Sequence, residues 1–175
     1  MLKLVDPDLK YKFHYIEMME QWRLTCETPV PWVLQMDYSD MCSLIKNLKD
    51  LKKGIGVPQG LVPCSAYWGY DDETDKLIGA IDVRHYLNSH LYNTWGYIEF
   101  GVRPDERKKG YATGLLKLAL EKCRNLPVKK VLLGCYKANE ACVKVIIKNG
   151  GILENEFPEN KTGRLIQRYW VGIKG

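Results

Sequence analysis

The sequence predicts a single-domain α/β fold, a mixed and mostly antiparallel sheet with helices on both faces. Apolar residues recur at helical spacing over the first third of the chain, then at strand spacing between residues 65 and 102. Beyond residue 102, helical and strand patterns alternate, the arrangement expected of a sheet covered by helices. The length, 175 residues, suits one domain spanning 1–175, because domains cluster near ~100–150 residues and a chain of this size buries a real core. No repeat, linker or low-complexity tract divides it.

Leu2-Lys3-Leu4-Val5 reads as a first strand, closed by Asp6-Pro7-Asp8. Leu9, Phe13, Ile16, Met19 and Trp22 follow with helical spacing, placing a helix over about residues 8–26 that Pro29 and Pro31 end. A second helix is predicted from Ser39 to Lys53, with Ser39 as its N-cap, an apolar face of Met41, Leu44, Ile45, Leu48 and Leu51, and Gly54 as its stop. Ser65–Tyr70 and Leu77–His85 flank the polar turn Asp71–Asp75 and read as a hairpin. After a loop holding Asn88, Ser89 and His90, a strand is predicted over Trp95–Val102, then a helix over Gly110–Arg124. Val131–Cys135 is wholly apolar and suits a buried strand. A helix over Asn139–Lys148 and two strands, Ile152–Glu156 and Arg164–Ile173, complete the chain.

Composition excludes several classes. Hydrophobic residues make up 46% and charged residues 27%, which removes disordered and collagen-like architectures. No apolar run approaches the ~18–20 residues that a bilayer crossing needs. The charged, proline-interrupted start is no secretory signal, so a cytoplasmic protein without a membrane partner is expected. Six cysteines include no CxxC pair, and the three histidines have no finger-type spacing, so neither a metal nor a disulfide scaffold is expected. Most of the cysteines read as buried free thiols.

The net charge of +5 is unevenly spread. Residues 1–60 are neutral, residues 61–102 carry −4, the 28 residues 103–130 carry +6, and the remainder carries +3. A basic block of this kind serves nucleic acid, an anionic ligand or a solvated helix face, and its internal order decides. Residues 100–113 read Phe-Gly-Val-Arg-Pro-Asp-Glu-Arg-Lys-Lys-Gly-Tyr-Ala-Thr, a strand running into a basic turn that opens a helix. The first amides of a helix lack internal partners and carry the positive end of its dipole. Gly110 permits a positive φ and Ala112 keeps bulk away, while Arg107, Lys108 and Lys109 add charge. Three cations oppose that end of the dipole unless an anion sits among them, which favours a diphosphate. No aromatic-interleaved basic strand or recognition-helix pattern appears, so a nucleic-acid partner is not expected.

Arg107-x-x-Gly110-x-Ala112 resembles the R/Q-x-x-G-x-G/A signature of the GNAT superfamily of acyl-CoA N-acyltransferases, and stands between the fourth strand and the third helix as that fold requires. Asn139, opening a helix after an apolar strand, matches a second region of the fold. Over roughly residues 55–175 the chain is also similar to a bacterial group of predicted acetyltransferases. The likeness is carried by Leu61-Val62-Pro63, Tyr67-Trp68, Arg84-His85, Leu87-Asn88, Arg103-Pro104, Asn149-Gly150-Gly151, Leu153-Glu154 and Tyr169-Trp170.

The resemblance implies acetyl-CoA as cosubstrate, no metal, and a splay between the fourth and fifth strands, often with a bulge in the fourth. It implies that backbone groups of Phe100, Gly101 and Val102 pair with the pantetheine arm and that amides from Lys108 through Lys109, Gly110, Tyr111 and Ala112 to Thr113 hold the pyrophosphate. An N–H near Val102 would polarise the acetyl carbonyl, and Asn139 would hydrogen-bond the pantetheine. The implied activity is acetyl transfer to a primary amine of a small molecule or protein by a monomer or homodimer.

Transfer to an amine needs one proton removed from the ammonium and one given to the leaving thiolate. The helix position that usually carries a tyrosine acid is Ile146, so that acid is absent. Tyr136 and Cys142 are substitutes by neighbourhood alone. Glu99, an acid in an otherwise apolar strand, is the first candidate base, and the alternative is a solvated or lysine-paired carboxylate. His85 is the second, against a histidine that simply packs at a strand end. Arg84 reads as a partner for a substrate carboxylate or as half of a structural ion pair, and Asn88 as a turn cap. Trp68, Trp95, Tyr97, Tyr169 and Trp170 are candidates for an acceptor pocket, although strand aromatics are more often core. The balance of −4 over residues 61–102 mildly favours a cationic acceptor. The missing tyrosine leaves a second reading open, a non-catalytic acyl-CoA sensor.

Overall fold

The computed structural model describes residues 1–173; residues 174 and 175 of the expected domain lie outside the described residues. β1 (Leu2–Val5) is followed by a 3₁₀ turn and α1 (Lys12–Thr25). The buried stripe of α1 is Tyr15, Met18, Met19 and Trp22, whereas Leu9, Phe13 and Ile16 of the expected face are exposed. Tyr15 decides the rotation, because its ring packs 4.8 Å from Trp68. α2 (Met41–Lys52) buries the expected apolar face, but its N-cap is Asp40. The Asp40 carboxylate accepts from the amides of Cys42 and Ser43, while the Ser39 hydroxyl is spent on Asp37.

β2 (Cys64–Asp71) and β3 (Lys76–Arg84) form the expected hairpin. The loop expected next contains a short helix, α3 (Ser89–Asn93), because the Asn88 side chain accepts from the Leu91 amide and caps it. β4 (Ile98–Val102) begins three residues later than expected, since the chain bends at Gly96, where φ is 72°. α4 (Tyr111–Lys122), β5 (Lys130–Tyr136), α5 (Glu140–Lys148), β6 (Ile152–Pro158) and β7 (Leu165–Gly172) follow in the expected order.

The strands form two antiparallel sheets, β1-β2-β3-β4 and β5-β7-β6, split between β4 and β5. Among the described residues, one isolated antiparallel bridge, Gly96 to Leu133, joins them. Pairing of β3 with β4 is regular from Gly79–Val102 to Val83–Ile98. The bulge implied for the fourth strand is therefore absent from its ladder with β3; the chain bends ahead of the strand, at Gly96. Register shifts lie in the β2–β3 ladder, where Ile78 of β3 is skipped, and in the β6–β7 ladder, where Glu154 of β6 is skipped.

Helices cover both faces. α1 and α2 pack with Trp68, Leu77 and Ala80 on one side of the first sheet. On the other side, Leu115, Leu116 and Ala119 of α4 and Ile146 of α5 pack on residues of both sheets, including Ile81, Ile98, Val131 and Leu133. This second core holds the halves together across the split. Each fully buried Leu or Ile contributes about 1.5–3 kcal/mol, so the gap between the sheets need not be closed by hydrogen bonds. Cys64, Cys123 and Cys135 are buried, Cys142 is half-buried, and Cys26 and Cys42 are exposed. Among the described residues no helix is long and apolar enough to cross a membrane.

Candidate active site

The split exposes the outer edge of β4, and the register determines which groups lie on it. Arg84 N donates to Tyr97 O and Arg103 N donates to Ile78 O, so odd-numbered residues of β4 direct their backbone groups at β3. The backbone groups of Ile98, Phe100 and Val102 therefore turn toward the split. Gly101 departs from the sequence expectation, because its N–H and C=O belong to the β3 ladder.

Beyond β4 the chain makes a 3₁₀ turn and reaches α4 through Lys108 and Gly110, both at positive φ (63° and 89°). Gly110 adopts this conformation freely, and Lys108 does so as a strained non-glycine residue. The amides of Thr113 and Gly114 donate to Gly110 O. Among the described residues, the five preceding amides, from Lys108 to Ala112, have no carbonyl or side-chain acceptor. Five consecutive free N–H groups at the positive end of a twelve-residue helix form an anion cradle.

The basic side chains of this turn have other partners. Arg107 forms two hydrogen bonds to the Glu27 carboxylate, 3.0 and 2.7 Å long, donates to Val102 O, and lies over the Trp22 ring. The Arg107 guanidinium holds the Glu27 carboxyl below its ordinary range. Lys109 binds the buried Glu106, which Lys76 also reaches. Lys108 is the cation of the three without a carboxylate partner among the described residues. The cradle is thus principally a backbone feature.

On the α1 and α2 face of β3 and β4, three charges meet. The Arg84 guanidinium, 4% exposed, stands 2.9 Å from Glu99 and 3.8 Å from Asp82. It also donates to Gly96 O. Asp82 lies directly opposite Glu99 in the ladder and is fully buried, and burial pushes its carboxyl well above the usual range against the pull of Arg84. Of Glu99, one oxygen is held by Arg84 and a third of the side chain remains open. Asp82 escaped the sequence reading. Its signal was the i, i+2 spacing from Arg84 in an apolar strand, which places both on one face.

His85 lies on the other face. It shares a hydrogen bond of 2.9 Å with Ser65, which pairs with Val83 in the second core, and burial together with Lys52 lowers its pKa. The structure therefore separates His85 from Glu99. Tyr136 shares the Glu99 side, because β5 turns Val131, Leu133 and Cys135 to the second core and its even-numbered residues away from it. The Tyr136 hydroxyl donates to Glu159 at 3.1 Å, and its ring contacts Trp95 and Arg164. Burial and the Glu159 carboxylate raise its pKa, keeping it a neutral phenol.

Asn139 caps α5, its side-chain oxygen accepting from the Cys142 amide, which leaves its NH₂ group for another acceptor. Ile146 is 1% exposed in the second core. Trp68 and Tyr169 are core residues, Tyr97 packs on the second core, and Trp170 packs near Tyr92 and Lys130. Trp95 alone among the five aromatic candidates lines an open cleft, of about 860 Å³, between α3 and the β6–β7 connection. A Cβ on Gly134 would collide with the Thr94 carbonyl, so glycine there lets the α3–β4 connection cross β5 and form one wall.

Comparisons place this geometry. A family model described as the acetyltransferase (GNAT) family matches residues 16–150. No curated protein matches the chain by sequence. Among solved structures, RimL, a ribosomal alpha-N-protein acetyltransferase in complex with coenzyme A, superposes with a TM-score of 0.69 at 14% identity, covering 98% of this chain and 94% of that one. The microcin self-immunity acetyltransferase MccE, in complex with acetyl-CoA and AMP, gives 0.65 at 16% identity over 98% and 92%. A chimera of spermidine N-acetyltransferase SpeG from Vibrio cholerae and hSSAT gives 0.62 at 15% identity over 98% and 95%. At such identities the likeness is one of fold.

Proposed function

Because the chain belongs to the acetyltransferase (GNAT) family, we propose that it is an acetyl-CoA-dependent N-acetyltransferase acting on a primary amine of a small molecule or protein. The observation that carries the reading is the row of free amides from Lys108 to Ala112 beside a strand edge open at Phe100 and at the Val102 N–H. A pyrophosphate fits the amide row. An extended pantetheine arm fits the strand edge as an added strand, with the Asn139 NH₂ group as a further donor.

The amine attacks the thioester carbonyl directly. A C–N bond forms, the carbonyl oxygen becomes an oxyanion held by an N–H at Val102, and the C–S bond then breaks. Glu99 takes the ammonium proton on the oxygen that Arg84 leaves free, and Arg84 positions it. The departing thiol has a pKa near ~8.5 and leaves tolerably as thiolate. Tyr136 is the neutral hydroxyl on the same side and is the proposed donor to the departing sulfur, and the second proton that the attacking nitrogen sheds as the C–S bond breaks restores it. His85, on the opposite face, is not assigned a role.

Burial of Ile146 where an acid is usual favours one other reading, a sensor that binds acyl-CoA without turnover. Release of free thiol from acetyl-CoA across amines, polyamines and peptides separates the two. Turnover on an amine supports the enzyme, and CoA binding with no turnover on any acceptor supports the sensor.

A further inference from the structure

The cleft between α3 and the β6–β7 connection has the size of a small-molecule site. It lies on the Glu99 and Tyr136 side of the sheets, with Trp95, which packs against Tyr136, in its wall. Its walls carry opposite charges. Glu159, at one position, accepts from the Tyr136 hydroxyl. Arg168 stands at another, on β7, and is 7% exposed.

Arg168 is incompletely partnered for so buried a guanidinium. Glu154 lies 2.9 Å from its Nη2 as an ion pair, but outside hydrogen-bonding alignment. Its Nε has no partner at all among the described residues. The Tyr92 ring covers it at 5.0 Å, which shields its charge from water. Donors buried without acceptors are costly; Nε and Nη2 are sealed from solvent, so Nη1, which lies outside that sealed set, is the nitrogen that meets a ligand carboxylate from the cleft. Glu154 already balances part of the charge, which suits a monoanion better than a phosphate dianion. His90, Asn155 and Lys161 complete a polar lining around it.

We propose that this cleft seats a zwitterionic acceptor, an amine that also bears a carboxylate, with Arg168 binding the carboxylate and the amine directed toward the Glu159–Tyr136 end. The proposal rests on the acetyltransferase reading for the fate of the amine, but its recognition chemistry is independent of turnover. It also revises the cationic acceptor expected from the charge of residues 61–102. Three of that segment's six carboxylates are engaged elsewhere: Asp71 and Asp72 with the N-terminal ammonium, and Asp75 with Tyr70 and His14.

The test is a binding titration of CoA-loaded protein with matched pairs: L-lysine against 1,5-diaminopentane, L-ornithine against 1,4-diaminobutane, and L-phenylalanine against phenethylamine. At least one carboxylate-bearing member is expected to bind about tenfold or more tightly than its decarboxylated partner. Arg168→Gln is expected to bring that ratio near one while CoA binding persists, and Arg168→Lys to restore it in part. Equal or tighter binding of the decarboxylated members, or no binding of any member, overturns the proposal with wild-type protein alone. Survival of the ratio in Arg168→Gln overturns the role of Arg168. Selective binding without thiol release would instead sink the transfer reading and leave this one standing.

Discussion

Arg84 and Glu99 face each other across β3 and β4, with Nη2 and Oε2 2.9 Å apart, and the guanidinium is buried while the carboxylate is one-third open. The pair fixes one Glu99 oxygen and leaves the other without a partner among the described residues. Glu99→Gln preserves shape and removes the base, so kcat/KM is expected to fall about 10²-fold or more while the KM for acetyl-CoA stays close to wild type. Steady-state kinetics at saturating acetyl-CoA read this out, and unchanged turnover removes Glu99 from the mechanism.

Arg84→Gln leaves Asp82 and Glu99 opposite each other without a cation. Breaking a buried pair in this way costs about 3–5 kcal/mol, visible as a lower denaturant midpoint. A loss below about 1 kcal/mol would mean that solvent already screens the cluster.

Asp82 makes stability depend on pH. Its folded pKa is raised by burial, so the native state retains a proton that the unfolded chain releases. Its favourable contribution is complete below the unfolded carboxyl pKa and is lost as pH rises toward about 7. Asp82→Asn is therefore expected to gain stability relative to wild type between pH 5 and 8. Denaturant titrations at both pH values show this, and an unchanged difference would mean that Arg84 keeps Asp82 ionised throughout.

His85 has the opposite sign. Burial lowers its pKa, so protonation below the unfolded value of ~6.5 favours unfolding. His85→Gln is expected to flatten the loss of stability as pH falls from 7 through 6. It should leave the pH dependence of kcat/KM in place, because the side chain lies on the face away from Glu99. Loss of the activity profile in His85→Gln would return it to the list of bases.

The amide cradle and its basic side chains are separable. Gly110→Ala imposes a side chain at φ 89°, a cost of about 1–2 kcal/mol in stability, and is expected to weaken CoA binding at least tenfold. Arg107→Ala breaks an exposed pair with Glu27 that is worth at most about 1 kcal/mol, and should change CoA affinity less than threefold. Calorimetric titration with CoA distinguishes them, and the reverse order would place the side chain, not the backbone, on the phosphates.

The cradle was legible in the chain because its parts are contiguous. A strand, a turn able to take positive φ, a glycine and a small residue at a helix start specify free amides through local sterics alone. The same holds for the order of elements and for the apolar face of α2. The opening expectation of a mixed, mostly antiparallel sheet with helices on both faces rests on that local periodicity, and the split into two antiparallel halves accords with it.

Tertiary structure decided what the side chains do. Arg107 belongs to the basic turn in sequence, yet its carboxylate partner is Glu27, 80 residues away. Glu99 stands ahead of His85 as a candidate base in the sequence, but only the ladder turns the two side chains to opposite faces. Tyr136 gained Glu159, and Arg168 gained a cleft wall, through a hairpin that folds back from more than twenty residues downstream of β5's end. Hydrophobic periodicity records which face of an element is buried, but not which element lies against it. Ion pairs and hydrogen bonds between distant residues depend on that second fact, so the amide cradle belongs to the sequence and the partners of the charged side chains belong to the fold.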